Sequence, residues 1–215
     1  MREQVIQWAE REKLVAIVRG MEKEKCLKVA QALYDGGVRL MEVPYDQKNP
    51  DSWKDTAETI GELVRTFRGR MMVGAGTVTT PELVELTHSA GGLFVVSPDT
   101  NVSVIGRTRE LGMVSMPGAM TPSEIMTAHH AGADIVKLFP AGELGPGYLK
   151  AICAPISHVK IIAFGGIHEK NIKEFLKAGA IGVGVSGKLV KPAWIENGAY
   201  DRITESAKTL LEAAR

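Results

Sequence analysis

Cysteine is scarce: two of 215 residues. Cys26 and Cys153 stand far apart in sequence, and neither belongs to a C-x-x-C or metal-ligand spacing. A disulfide framework and a cysteine zinc site are therefore not expected, and a reduced, cytoplasmic protein is. Long apolar runs are also missing; none approaches the ~20 residues of a membrane helix. The opening MREQVIQWAEREK is charged and helical in pattern, unlike a signal peptide. Charge of one sign is lacking too, since 26 Lys and Arg against 25 Asp and Glu leave a net charge of +1. The basic residues are scattered, so neither nucleic acid nor an anionic membrane is an expected partner. The five histidines (His88, His129, His130, His158 and His168) fall on predicted helices and loops. The adjacent His129 and His130 would diverge on a helix, so no metal is expected. What remains is an average globular composition, 45% apolar and 24% charged. Its length suits one domain spanning residues 1–215.

A unit recurs along the chain: a helix-like stretch ends at glycine, and a short apolar run follows. It reads Gly36-Gly37 before Leu40–Val43, Gly91-Gly92 before Leu93–Val96, and Gly112 before Met113–Met116. It returns at Gly132 before Ile135–Phe139 and at Gly179 before Ile181–Val183. Glycine accepts the left-handed conformation that closes a helix. Short, nearly continuous apolar runs are the mark of parallel strands buried on both faces. Thr80-Pro81 and Thr121-Pro122 each place a capping hydroxyl before a first-turn proline, and Glu124 completes a capping box with Thr121. With Leu14–Val18, Met71–Ala75 and Lys160–Ala163 the count reaches about eight strands, roughly twenty to thirty residues apart. The expected fold is an α/β (β/α)8 TIM barrel with an N-terminal helix; an open doubly wound sheet is the rival.

Barrel chemistry sits at the C-terminal strand ends. Read there in order are Arg19, Glu42, Thr77, Ser97-Pro98, Pro117-Gly118, Lys137, Gly165-Gly166 and Ser186-Gly187. Lys137 lies inside the apolar run of VKLFP. An ammonium is costly to bury, so its pKa is expected to fall and leave a neutral amine able to attack a carbonyl. The plain alternative is a lysine snorkelling from a strand end. Glu42, also within an apolar run, reads either as an acid/base group or as a structural partner of Lys137, and the two are compatible. The glycine turns after strands seven and eight are placed to hold phosphate on backbone N–H groups, with turn packing as the alternative. Gly182–Lys188 (GVGVSGK) matches G-x-G-x-x-G, and nearly a Walker A loop. Its glycines lie within the strand itself, and Leu189 stands where Ser or Thr should be, so both nucleotide readings are rejected.

Assembled, these residues resemble the 2-keto-3-deoxy-6-phosphogluconate and 4-hydroxy-2-oxoglutarate aldolase family of class I aldolases. GGVRLMEV, VGAGTV, VSP, MPGAMTPSE, VKLFPAG and FGGI occur in order, roughly from Val15 to Val190. The resemblance implies a cofactor-free lyase of carbohydrate metabolism, of the Entner–Doudoroff kind, releasing pyruvate and an aldehyde through a Schiff base on Lys137. It implies Glu42 as acid/base and Thr77 as carboxylate ligand, helped by Arg19. It further implies Pro98 and Phe139 as pocket walls, and Gly165, Gly166, Ser186 and Gly187 around a phosphate. The implied partners are a small 2-keto acid and a phosphosugar acid, and the implied assembly is a homotrimer. Two positions depart from the pattern: Asp46 stands where some members carry Arg, and Ser186 lies one position early in its turn. The proline of EVPYDQ and the LGPGYLKA stretch resemble galactonate-specific relatives. A phosphosugar isomerase, or a non-catalytic phosphosugar-binding barrel, is the alternative outside the aldolases.

Overall fold

The computed structural model describes all 215 residues. Helix α1 (Arg2–Glu12) precedes β1 (Leu14–Ile17), followed by α2 (Lys23–Asp35), β2 (Leu40–Pro44), α3 (Trp53–Thr66), β3 (Met72–Gly76), α4 (Pro81–Ser89), β4 (Phe94–Val96) and α5 (Val102–Glu110). Strand β5 comes in two pieces, Val114–Met116 and Gly118–Ala119, interrupted at Pro117. Then come α6 (Pro122–His130), β6 (Val136–Leu138), α7 (Ala141–Cys153), β7 (Ile161–Phe164), α8 (Ile172–Lys177), β8 (Gly182–Val185), α9 (Pro192–Glu196) and α10 (Tyr200–Ala213).

Every strand pairing is parallel. The sheet has nine hydrogen-bonded segments, of which two are the halves of β5, leaving eight strands. The first half of β5 pairs with β4 and the second with β6, so the ring closes through Pro117. Proline has no N–H to give a ladder, but its carbonyl accepts from Lys137 N at 2.8 Å. The barrel expected from sequence is what forms. The expected caps form as well: Thr80 Oγ1 accepts from Leu83 N, and Thr121 and Glu124 close a full capping box.

Alternation along the strands divides the core in two. Ala16, Met41, Val73, Val95 and their neighbours face outward and pack beneath the helices. Val15, Ile17, Leu40, Met72, Phe94, Val96, Val114, Met116, Ile162 and Phe164 point inward and meet Val5, Ile6 and Ala9 of α1. Helix α1 is therefore a plug at the N-terminal end of the barrel. It is held there by Arg2, whose guanidinium pairs with the buried Asp134; Arg109 and the Ser115 N–H also bond that carboxylate, at 3.1 and 2.9 Å. With one end closed, the opposite end is left for the site.

Candidate active site

Lys137 and Glu42 are the two ionisable side chains buried inside the barrel, 8% and 3% exposed. Lys137 is the middle residue of β6, level with Gly118 and Ile162 of the adjacent strands. Its Nζ lies 4.9 Å from the ring centroids of both Phe139 and Phe164. Burial lowers its pKa from the ordinary lysine value; the charge of Glu42 opposes that shift and Arg19 reinforces it. Glu42 is the third residue of β2, level with Ile17 and Gly74. Burial raises its pKa from 4.5 to about 7, although Lys137 and Arg19 both pull it down. One group gains a neutral form and the other a proton, the arrangement acid/base work requires.

The reading of Glu42 and Lys137 as a direct ion pair is corrected by the geometry. Neither side chain makes a hydrogen bond or salt bridge, and Glu42 Oε2 is buried without a partner. The reason is topological: β2 and β6 are four strands apart in a ring of eight, on opposite walls. They interact through space across the lumen.

Lys137 opens into a cavity of about 390 Å³ at the C-terminal ends of β1, β6, β7 and β8. Arg19, Phe139, Gly165, Gly166, Ser186 and Gly187 line it, as expected from sequence. Thr77 and Pro98 do not. Thr77 sits past the end of β3 with φ 54°, its carbonyl accepting from Gln47 Nε2 at 2.9 Å. Pro98 is exposed, its carbonyl lying over Gly118. Asp46 also stays out of the cavity. It lines a separate space of about 570 Å³ with Glu22, Asp55 and Glu58, so the departure at Asp46 puts no negative charge beside Lys137. A further cavity of about 520 Å³ lies among Arg11, Lys13 and Arg215, away from both buried groups. No cluster of three or more His, Cys, Asp or Glu side chains is placed to hold a metal ion. No helix is long and apolar enough to cross a membrane.

Comparison with known proteins agrees with this geometry. The family model for KDPG and KHG aldolase matches residues 5–206. The chain belongs to that family. It is a carbon–carbon lyase. Among relatives of this aldolase, the 2-dehydro-3-deoxy-6-phosphogalactonate aldolase of Escherichia coli K12 is 31% identical over 98% of both chains. A probable enzyme of the same name from Rhizobium meliloti is 36% identical over 83% of this chain and 82% of its own. A KDPG aldolase from Legionella pneumophila, solved with pyruvate captured as a covalent carbinolamine, superposes with a TM-score of 0.86 at 27% identity, covering 98% of each chain.

Three ionisable residues lining the aldolase cavity were not legible as such in the sequence: His168, Lys188 and Lys191. From sequence, His168 reads only as one of five histidines on helices and loops. It follows the Gly165-Gly166 turn, where its N–H is taken by Asn171 Oδ1 at 2.8 Å. Lys188 and Lys191 follow β8 in a turn where Leu189 N and Val190 N both bond Ser186 O. The signal was present as two lysines straddling that turn. Ser186 continues the inward register of Gly182 and Gly184 and does line the cavity, so its early position does not turn it away.

Proposed function

We propose that the enzyme cleaves a 2-keto-3-deoxy-6-phosphosugar acid to pyruvate and glyceraldehyde 3-phosphate. The observation that carries this reading is a partly desolvated amine and a carboxyl of raised pKa on facing walls, beneath a cavity rimmed by cations. Lys137 Nζ adds to the C2 carbonyl, and loss of water from the carbinolamine leaves the iminium. Glu42 accepts the proton of the C4 hydroxyl as the C3–C4 bond breaks. Its electrons flow into the iminium to form an enamine, and the aldehyde leaves. Protonation at C3 and hydrolysis then release pyruvate and restore Lys137. Arg19 is assigned to the carboxylate; a part for Thr77, which does not line the cavity, rests on the family resemblance alone. Phe139 shields the amine; the role of Pro98 as a pocket wall likewise rests on the resemblance.

The phosphate is assigned to the turns after β7 and β8. The N–H groups of Gly166, Ile167, Gly187 and Lys188 have no acceptor within the protein, and backbone donors at that end of a barrel suit an anion. Lys188 and Lys191 add charge, and the pocket wall itself carries no carboxylate. A non-phosphorylated substrate, 4-hydroxy-2-oxoglutarate, would use the same pyruvate half without those turns. The names of the Escherichia coli and Rhizobium relatives favour the galactonate configuration at C4 as a second reading. Homotrimer assembly, a cytoplasmic location, a role in Entner–Doudoroff-type breakdown and action as one domain are proposed from the family resemblance.

Pyruvate with borohydride is expected to leave a stable adduct on Lys137, read by intact mass and peptide mapping. No adduct, or one persisting in Lys137→Ala, overturns the Schiff-base reading. In a coupled pyruvate assay, the two C4 epimers and 4-hydroxy-2-oxoglutarate are expected to rank with the phosphorylated acids first.

A further inference from the structure

The mechanism leaves unexplained how Glu42 keeps its place. An unbonded carboxylate on a flexible stem should rotate toward water or toward Lys137, yet Glu42 remains 3% exposed with Oε2 unpartnered. No donor holds it. The cause is found on the neighbouring strand. A Cβ built on Gly76 would lie 1.3 Å from Glu42 Oε2, 2.5 Å from Cδ and 3.1 Å from Oε1, and no other atom is nearer than 3.1 Å. The carboxylate fills the volume that any other residue at position 76 would occupy. Gly76 does not have a backbone conformation reserved for glycine; it is in regular β3, paired with Pro44. The three atoms nearest its missing side chain all belong to Glu42.

We infer that Gly76 is a positioning residue for the aldol step, its bare backbone forming the slot that seats the Glu42 carboxylate on the wall opposite Lys137. The slot acts by exclusion. Hydrogen bonds would stabilise the ionised form and hold the group as a permanent carboxylate, whereas a slot fixes position without fixing protonation. Two charged groups face Glu42, Lys137 of β6 and Arg19 beyond β1. An added methyl at position 76 would push the carboxylate toward them and toward the open cavity, where it regains solvent.

This inference rests on the aldolase reading, and its test separates the two. Gly76→Ala is expected to lower kcat for cleavage about 100-fold or more, within the range for losing general acid/base catalysis, with KM little changed. The adduct with pyruvate and borohydride should still form on Lys137. The acidic limb of the kcat/KM profile should move to lower pH as the displaced carboxylate is rehydrated. Asp is one methylene shorter and retracts from the slot, so Gly76→Ala added to Glu42→Asp should cost almost nothing further; this departure from additivity is what a double-mutant cycle reads. Thermal melting in both backgrounds shows whether the variants fold. A folded Gly76→Ala with normal kcat, or an equal loss in the Glu and Asp backgrounds, overturns the inference while leaving the aldolase reading intact. Absence of any adduct in the unaltered enzyme overturns the reading itself.

Discussion

A buried carboxyl whose pKa is raised from 4.5 to about 7 carries a stability cost alongside the acid/base role proposed for it. The neutral form is the one the folded chain accommodates. Its contribution is therefore fully present below about pH 4.5 and is lost as pH rises toward and through 7. Glu42→Gln keeps the shape and cannot ionise. It is expected to melt at nearly the wild-type temperature at pH 4.5 and to be more stable at pH 8, by about 1–3 kcal/mol. Its turnover should fall by about 10²–10⁴-fold, with loss of the limb near pH 7 in kcat/KM. Equal melting at both pH values would show that Glu42 ionises in the folded protein without penalty. The same desolvation acts in the opposite direction on Lys137, lowering its pKa. Both groups are pushed toward neutrality, Lys137 by losing a proton and Glu42 by gaining one.

At the scale of elements, the N-terminal helix decides which end of the barrel is open. Val5, Ile6 and Ala9 cover the inner ring, and burying each large aliphatic side chain is worth about 1.5–3 kcal/mol. The clasp is Asp134, whose carboxylate is 2% exposed and bonded by Arg2, Arg109 and the Ser115 N–H. Asp134→Ala releases two guanidinium groups and a backbone donor at once. Both guanidinium groups are more than a third exposed and regain water, so the expected loss is that of leaving the Ser115 N–H unsatisfied, about 1–3 kcal/mol, read from urea or thermal unfolding. Hydrogen exchange should rise in α1 before the outer helices. A variant as stable as the parent would mean that the apolar plug suffices alone. The seam between α2 and α10 shows a small residue used for approach: a Cβ on Gly36 would lie 2.5 Å from that of Ala207, so α10 can close against α2.

For the whole molecule, a net charge of +1 creates no long-range field, and attraction for an anionic substrate must come from the local grouping of Arg19, Lys188 and Lys191 at the cavity. Lys188 and Lys191 are exposed, so the effect is modest and sensitive to salt. The double variant Lys188→Ala/Lys191→Ala is expected to lower kcat/KM for the phosphorylated acid about 10-fold at low ionic strength, at roughly 1 kcal/mol or less per exposed charge. The difference should shrink in 0.5 M salt, and 4-hydroxy-2-oxoglutarate should be cleaved as before. An equal loss for both substrates would place the lysines in the pyruvate half instead.

The sequence by itself determined the barrel, because glycine stops, short apolar runs and proline-led caps are local signals that each element reads from its own residues. It also singled out Lys137 and Glu42 as charged residues buried in the barrel, since a charged residue inside an apolar strand is anomalous on sight. Tertiary structure alone decided the rest. That the two groups face one another without touching follows from barrel closure, which sets β2 opposite β6. That His168, Lys188 and Lys191 share a cavity with Lys137 follows from loops meeting over the β7 and β8 ends, while Thr77 and Pro98 fall outside it. The seat of Glu42 was present in the sequence as one glycine among 23. Nothing local distinguished it, because what it makes room for arrives from a different strand.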